Sequence, residues 1–383
     1  MNAPAENKTV HYLEAFDHTE LIERWVGLIA SIAGVKVVCH VKPCYQESLR
    51  AQYSTVPNVS IGGPTEGISW PAYIRRIQFD STSVAVIPTV GQRPHWFTSL
   101  ISRVNFYLVL HNLNYWFDRS AYRLPRSTVK DLAKDVRQYI EIRAKRSLLT
   151  SSLALLYATD ALAQEGMRET SLGNVNHLVL PFSCLRNSPV QITANADRRT
   201  LQVVVPGSMS SRARNYKLVL DGLAGAAGND AMIDIHFAGK VVDQCIQRQF
   251  QEFVTERSLS GTNGIQLHWY NDGLDEQQFD AVLTSADVIL APLKPEVTVG
   301  RYIEKIGYTK ASGTPFDAIY FGKPILLPFW HPLRDPAVLH FSDGTHLGDV
   351  LTNLAFNREL PKNCWHSNTE QALRSKWENL IKA

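Results

Sequence analysis

The sequence predicts an α/β protein built as two Rossmann-like domains facing a cleft. Apolar runs bounded by turn residues alternate with longer helical patterns, the signature of layered α/β folds. The alternation occurs in two series. Between them lies a polar stretch, Ser183 to Arg199, which carries Asn187-Ser188-Pro189 and reads as a hinge. A chain of 383 residues is long for one core and suits two.

In the first series a helical stretch, Thr19 to Ala33, precedes the run Val35 to Val41, whose valines mark a buried strand. Ser83 to Pro88 and Phe106 to His111 read the same way. A second long helical pattern covers Thr128 to Ala144, and Leu178 to Phe182 reads as the last strand of this half. The second series has strands at Leu201 to Val205, Met232 to Phe237, Ile265 to Trp269, Val288 to Ala291 and Ile325 to Leu327. A helical tail follows Trp365. The expected division is residues 1–185, residues 196–365, and a C-terminal helix, 366–383, returning toward the first domain.

Composition narrows the function. With 45% hydrophobic and 20% charged residues the chain is of globular type, and a net charge of +3 gives no argument for nucleic acid. No run approaches the roughly 18 apolar residues of a membrane span, and the first residues lack the pattern of a secretory signal. Five cysteines without a C-x-x-C pair fit reduced thiols and a cytoplasmic protein. G-x-G-x-x-G, Walker A and G-x-S-x-G motifs are missing. Asp-x-Asp is missing too, so no metal-held diphosphate and no bound cofactor are expected.

Two loops carry chemistry. After the strand ending at Val205 comes Pro206-Gly207-Ser208-Met209-Ser210-Ser211-Arg212-Ala213-Arg214, then a helix from Lys217 to Leu223. Small residues admit a ligand close to backbone amides, and two arginines can fork onto phosphate oxygens. Further on, Lys310-Ala311-Ser312-Gly313-Thr314-Pro315-Phe316-Asp317 reads as a turn opening a short helix, with Pro315 in its first turn. Unpaired amides there suit a diphosphate. Asp317, expected in the first turn, can accept from a ribose diol or simply favour the helix dipole.

With Asp317 to Ile325, including Gly322-Lys323-Pro324, the sequence resembles GT-B fold glycosyltransferases, in the style of the retaining family 4 group. That family pairs two acidic residues eight positions apart; here the first position holds Thr309. The resemblance implies that Gly207, Ser208, Arg212, Arg214, Lys310, Ser312, Gly313 and Thr314 bind the donor diphosphate. It further implies that Asp317 holds the ribose and that Tyr270 or Asn271 lies near the base. His111, at the end of Val109-Leu110-His111-Asn112, resembles the strand-end histidine lining the donor-sugar side.

Asp17 and His18 precede a helix, so capping by Asp17, Thr19 or Glu20 competes with action as a base on an acceptor hydroxyl. Residues Arg119 to Arg146 hold nine basic and three acidic side chains. That stretch follows Tyr115-Trp116-Phe117 and implies either a solvated helix face or weak contact with anionic membrane. The expected activity is transfer from a nucleotide sugar to a carbohydrate or lipid-linked acceptor. The alternatives are a nucleotide-sugar 2-epimerase and a catalytically silent binding subunit.

Overall fold

A run of Val10, Tyr12 and Leu13 with no exposed surface begins the fold as a central strand, although Lys8, His11 and Glu14 interrupt its apolar pattern. The computed structural model describes residues 7–16, 18–91, 93–117, 129–168, 175–186, 200–228, 231–259, 264–361 and 365–382. The first sheet comprises β1 (Lys8–Glu14), β2 (Val35–His40), β3 (Val59–Gly62), β4 (Ser83–Thr89), β5 (Asn105–Val109), β6 (Ala154–Tyr157) and β7 (Asn176–Val179). All pairs are parallel, in the order β3-β2-β1-β4-β5-β6-β7.

The second sheet holds β8 (Leu201–Pro206), β9 (Ile233–Lys240), β10 (Ile265–Tyr270) and β11 (Val288–Leu290). After an antiparallel hairpin, β12 (Glu296–Val299) and β13 (Tyr302–Lys305), come β14 (Ile325–Pro328) and β15 (Val338–Phe341). Its order is β10-β9-β8-β11-β14-β15. In both sheets the strand order reverses beside the first strand, between β1 and β4 and between β8 and β11. Such switch points open a crevice at the strand C-termini, where ligands of open α/β sheets bind.

The C-terminal helix Glu370–Lys382 packs on the first sheet's layer. Trp377 meets Trp25 at 5.1 Å between ring centroids, and Trp25 also packs against Phe182 at 5.6 Å. Most of the expected hinge, residues 187–199, lies outside the described residues. Some expected elements shift: the strand expected at Leu178 to Phe182 is β7, which ends at Val179, because Leu180 onward turns into the interdomain core. The helix expected at Thr128 to Ala144 runs to Ser151. Within the basic stretch, Lys145 is only 3% exposed, its ammonium donating to the Tyr115 carbonyl and pairing with Glu141 at 3.1 Å.

Buried under the first sheet is a polar chain that sequence periodicity does not reveal. His11 Nδ1 and His40 Nε2 lie 3.0 Å apart, and His40 Nδ1 is 2.7 Å from the Tyr73 hydroxyl. One hydrogen fits between the two rings; charging both would set N–H against N–H. Burial accordingly lowers the pKa of His11 to about 4 and of His40 to about 3. Both are neutral in the native state, so their contribution is complete above pH 6.5 and is lost as pH falls toward 4, where the unfolded chain takes up protons. The slope of stability with pH in that window is expected to exceed that of the His11→Gln/His40→Gln variant by about 2.7 kcal/mol per pH unit. Urea unfolding at several pH values checks this, and parallel slopes would refute it.

Candidate functional site

A cavity of about 830 Å³ lies between the two sheets at the C-terminal ends of their strands. Sequence-predicted residues His18, His111, Gly207, Arg214, Lys310, Ser312, Gly313, Thr314 and Asp317 all line it. Ser208, Arg212 and Tyr270 do not, and Asp17 lies outside the described residues.

At the switch point of the second sheet, β8 is followed by Gly207, whose φ of +85° belongs to the left-handed region that favours glycine. A Cβ there would fall 2.7 Å from Arg214 Nη2, so the missing side chain is what lets the guanidinium lie against the backbone. Arg214 donates to the Ser208 carbonyl at 2.7 Å and to the Pro206 carbonyl, while its buried Nε has no partner among the described residues. Arg212 points elsewhere, donating from Nε to the Thr298 carbonyl at 3.0 Å and so tying the loop to the β12–β13 hairpin.

Lys310 reaches the cavity on a loop paired with the first domain. The Leu113 amide donates to the Thr309 carbonyl at 2.7 Å, and the Ala311 amide to the His111 carbonyl at 3.0 Å. The ammonium donates to Asn112 Oδ1 at 3.0 Å. Burial lowers its pKa, against the opposing field of Glu304. Glu304, fully buried, accepts from the Tyr115 amide at 3.0 Å and the Asn114 amide at 3.3 Å. It is a carboxylate near Lys310 that the spacing of acidic residues along the chain does not predict. Thr309 keeps its hydroxyl within its own turn, accepting from the Lys305 amide at 2.7 Å.

The helix after Ser312 spans Gly313–Tyr320, so Asp317 is its fifth residue and not in its first turn. It therefore gains little from the exposed N-terminal amides. Its carboxylate instead accepts from Arg24 Nη2 at 2.7 Å, with side chains 17% and 9% exposed. Burial raises the Asp317 pKa and Arg24 opposes that rise. Arg24 also lies over the Tyr320 ring at 5.0 Å. The preceding residue, Glu23, is raised in pKa to about 7 by burial and by the neighbouring Glu276 carboxyl.

His111 Nε2 donates to the Pro88 carbonyl at 2.7 Å, which fixes the hydrogen on that nitrogen. Burial, with His18 stacked at 5.2 Å, lowers its pKa to about 3. It is a neutral ring and a weak base. The helix Thr19–Ala30 takes His18 as its N-cap with no side-chain cap bond, so neither Thr19 nor Glu20 caps it. Tyr270 lies on the sheet, its hydroxyl 3.0 Å from His236 Nδ1.

Arg24, Glu23, Glu276 and Lys240 thus line the site without having been predicted for it. Arg24 meets a partner 293 positions away, beyond any local pattern. A sequence signal existed only for Glu276, which follows a capping Asp275 at a helix start.

No family model and no curated protein matches the chain. Solved structures do. A glycosyltransferase from Rickettsia africae aligns at TM-score 0.58 and 10% identity, over 98% of this chain and 96% of that one. The pneumococcal O-GlcNAc transferase GtfA, in complex with UDP and GlcNAc, aligns at 0.57 and 9%, over 98% and 99%. The chain has the GT-B fold. A trehalose-6-phosphate phosphatase N-terminal domain from Candida albicans is similar to this GT-B chain at 0.59 and 10% identity, over 100% and 98%. A UDP-N-acetylglucosamine 2-epimerase is similar at 0.53 and 8%, over 98% and 96%.

Proposed function

We propose that this GT-B protein transfers a sugar from a nucleoside-diphosphate sugar to a hydroxyl acceptor. The observation that carries the reading is the interdomain cavity, where Arg214, Lys310 and the amides of Ser312 to Thr314 meet at the switch point of the second sheet. In the reaction, the acceptor oxygen bonds to the anomeric carbon as the bond to the diphosphate oxygen breaks. The hydroxyl proton leaves with the diphosphate, whose growing charge the cationic end stabilises. The weakly basic His111 takes no proton in this scheme; it lines the donor-sugar side and orients the sugar, with His18 beside it toward the acceptor. By its likeness to the family 4 pattern the transfer retains configuration. It needs no metal, and it serves polysaccharide or glycolipid assembly in the cytoplasm.

A thermal-shift screen of nucleoside diphosphates and their sugars tests the reading, followed by turnover with and without EDTA. We expect stabilisation by at least one diphosphate and turnover that survives chelation. A chain that no nucleotide stabilises would refute the reading, and activity abolished by EDTA would refute metal independence.

The 2-epimerase reading draws support from the epimerase that shares the fold and from the carboxylates of Glu20, Glu23 and Asp317 at the cavity. It predicts an epimerised nucleotide sugar with no acceptor present, whereas a transferase yields free diphosphate. A silent binding subunit would yield neither.

For the acceptor we propose a lipid-linked or carbohydrate chain approached at an anionic membrane surface. Val136, Tyr139 and Ile140 are exposed on the helix Val129–Ser151, beside exposed Arg143 and Arg146. Among the described residues no helix is long and apolar enough to cross a membrane. Binding to anionic vesicles is expected to disappear at about 1 M salt, where charges are screened within about 3 Å. Equal recovery on neutral vesicles would overturn the contact.

A further inference from the structure

Of the two arginines in the loop after β8, only Arg214 lines the cavity, since Arg212 is turned away onto Thr298. Lys310 supplies another cation from a different part of the chain. It lies on the loop that follows β13, while Asn112 lies on the one that follows β5 in the facing domain, and both line the cavity. The two residues stand opposite each other in a short antiparallel bridge. Across that bridge the Lys310 ammonium donates to Asn112 Oδ1 at 3.0 Å. An ammonium accepts nothing, so the amide oxygen is the atom that faces it, and its other hydrogens stay available to a ligand. Glu304 would neutralise the lysine if it reached it. Its oxygens instead accept from the amides of Tyr115 at 3.0 Å and Asn114 at 3.3 Å. Among the described residues no carboxylate forms an ion pair with Lys310.

We propose that Asn112 is a positioning residue for the donor diphosphate: its neutral amide aims the Lys310 ammonium without cancelling its charge. This rests on the nucleotide-sugar reading above and deepens it. A lysine side chain has many rotamers, and fixing it on binding costs affinity. Holding the ammonium in advance removes part of that cost. A carboxylate in the same place would also hold the lysine. It would, however, compete with the phosphate for the same charge and repel it. An apolar side chain would leave the charge whole but unaimed. The amide avoids both faults. Because Asn112 and Lys310 belong to facing domains, the phosphate site is complete only where the domains meet, and neither presents it by itself.

Calorimetry of UDP, GDP, ADP, CDP and dTDP on the full chain finds the tightest diphosphate, which is then measured on Asn112→Ala, Asn112→Asp and Lys310→Ala. Lys310→Ala is expected to lose about tenfold to a hundredfold in affinity, and Asn112→Ala about threefold to tenfold. Asn112→Asp is expected to bind about tenfold more weakly than Asn112→Ala. In the Lys310→Ala background, Asn112→Ala is expected to change affinity by less than about twofold, since its effect passes through the lysine. The alkaline pH at which affinity falls is expected to move down in Asn112→Ala and up in Asn112→Asp, because an acceptor or an anion favours the charged ammonium. Glu304 and Arg212, whose fields also act on that ammonium, are the same in every variant. Should Asn112→Ala not fold, Asn112→Leu, of nearly equal size, replaces it with the same expectation. Asn112→Asp binding as tightly as Asn112→Ala would overturn the positioning role and leave the nucleotide reading standing. So would a loss in Asn112→Ala that persists without Lys310, or an alkaline limit that stays fixed. Wild type that binds none of these diphosphates would overturn both readings.

Discussion

Replacing Arg214 with alanine is expected to weaken binding of a nucleoside diphosphate by about tenfold to a hundredfold. A charge-assisted hydrogen bond contributes about 1.5–3 kcal/mol, and each 1.4 kcal/mol is about a factor of ten. The guanidinium is fixed in advance by the carbonyls of Pro206 and Ser208, and its Nε has no partner among the described residues. Little side-chain freedom remains to be lost on binding, so most of the contact energy appears as affinity. Arg212→Ala is the control. Its guanidinium already donates to Thr298, and the expected loss is smaller. Calorimetry with the best-bound diphosphate decides. Equal affinity for wild type and Arg214→Ala would mean that the phosphates lie elsewhere.

The second large effect belongs to Asp317. Asp317→Ala strands the Arg24 charge between the domains, and breaking a buried pair costs about 3–5 kcal/mol. Each partner keeps some contact with solvent, so about 2–3 kcal/mol is the better expectation. The Arg24→Ala/Asp317→Ala double variant removes the stranded charge and is expected to be more stable than Asp317→Ala alone. Stability and binding then separate. The double variant regains stability but not preference for a ribose over a dideoxyribose nucleotide, if Asp317 holds the sugar diol. Denaturant unfolding of all four proteins measures the coupling, and additive effects would refute the bridge.

The alternation of elements is legible because most strands of both sheets are apolar runs. Val35 to Val41 and Leu201 to Val205 read directly as buried strands. The central strand β1 does not, since His11 sits within it and is satisfied by His40 rather than by apolar packing. β6 hides because Ala154–Tyr157 follows the long helix Val129–Ser151 after only two residues, with no turn signal between. At the site, the glycine and arginine loop after β8 and the Ser-Gly-Thr helix start are local features and therefore readable. Tyr270 is not among the cavity-lining residues: the last residue of a strand can face either the ligand or the sheet, and here its hydroxyl lies 3.0 Å from His236 Nδ1. Arg24 and Glu304 are held by partners from the other half of the chain, Asp317 and the amides of Asn114 and Tyr115, and no spacing rule reaches those contacts.

The pairing of residues 111–113 with residues 309–311 gives the cleft a built-in reporter. The amide hydrogens of Leu113 and Ala311 are held by carbonyls of the opposite domain. They exchange with solvent deuterium only when the halves part or when the chain unfolds there. Their common exchange rate, compared with that of core amides in β8, is thus a thermometer for interdomain opening that needs no label. The same two bonds mean that Lys310 is delivered to the site by the facing domain as much as by its own. A half-molecule holding only the second sheet would keep Arg214 in place and lose the lysine's anchor.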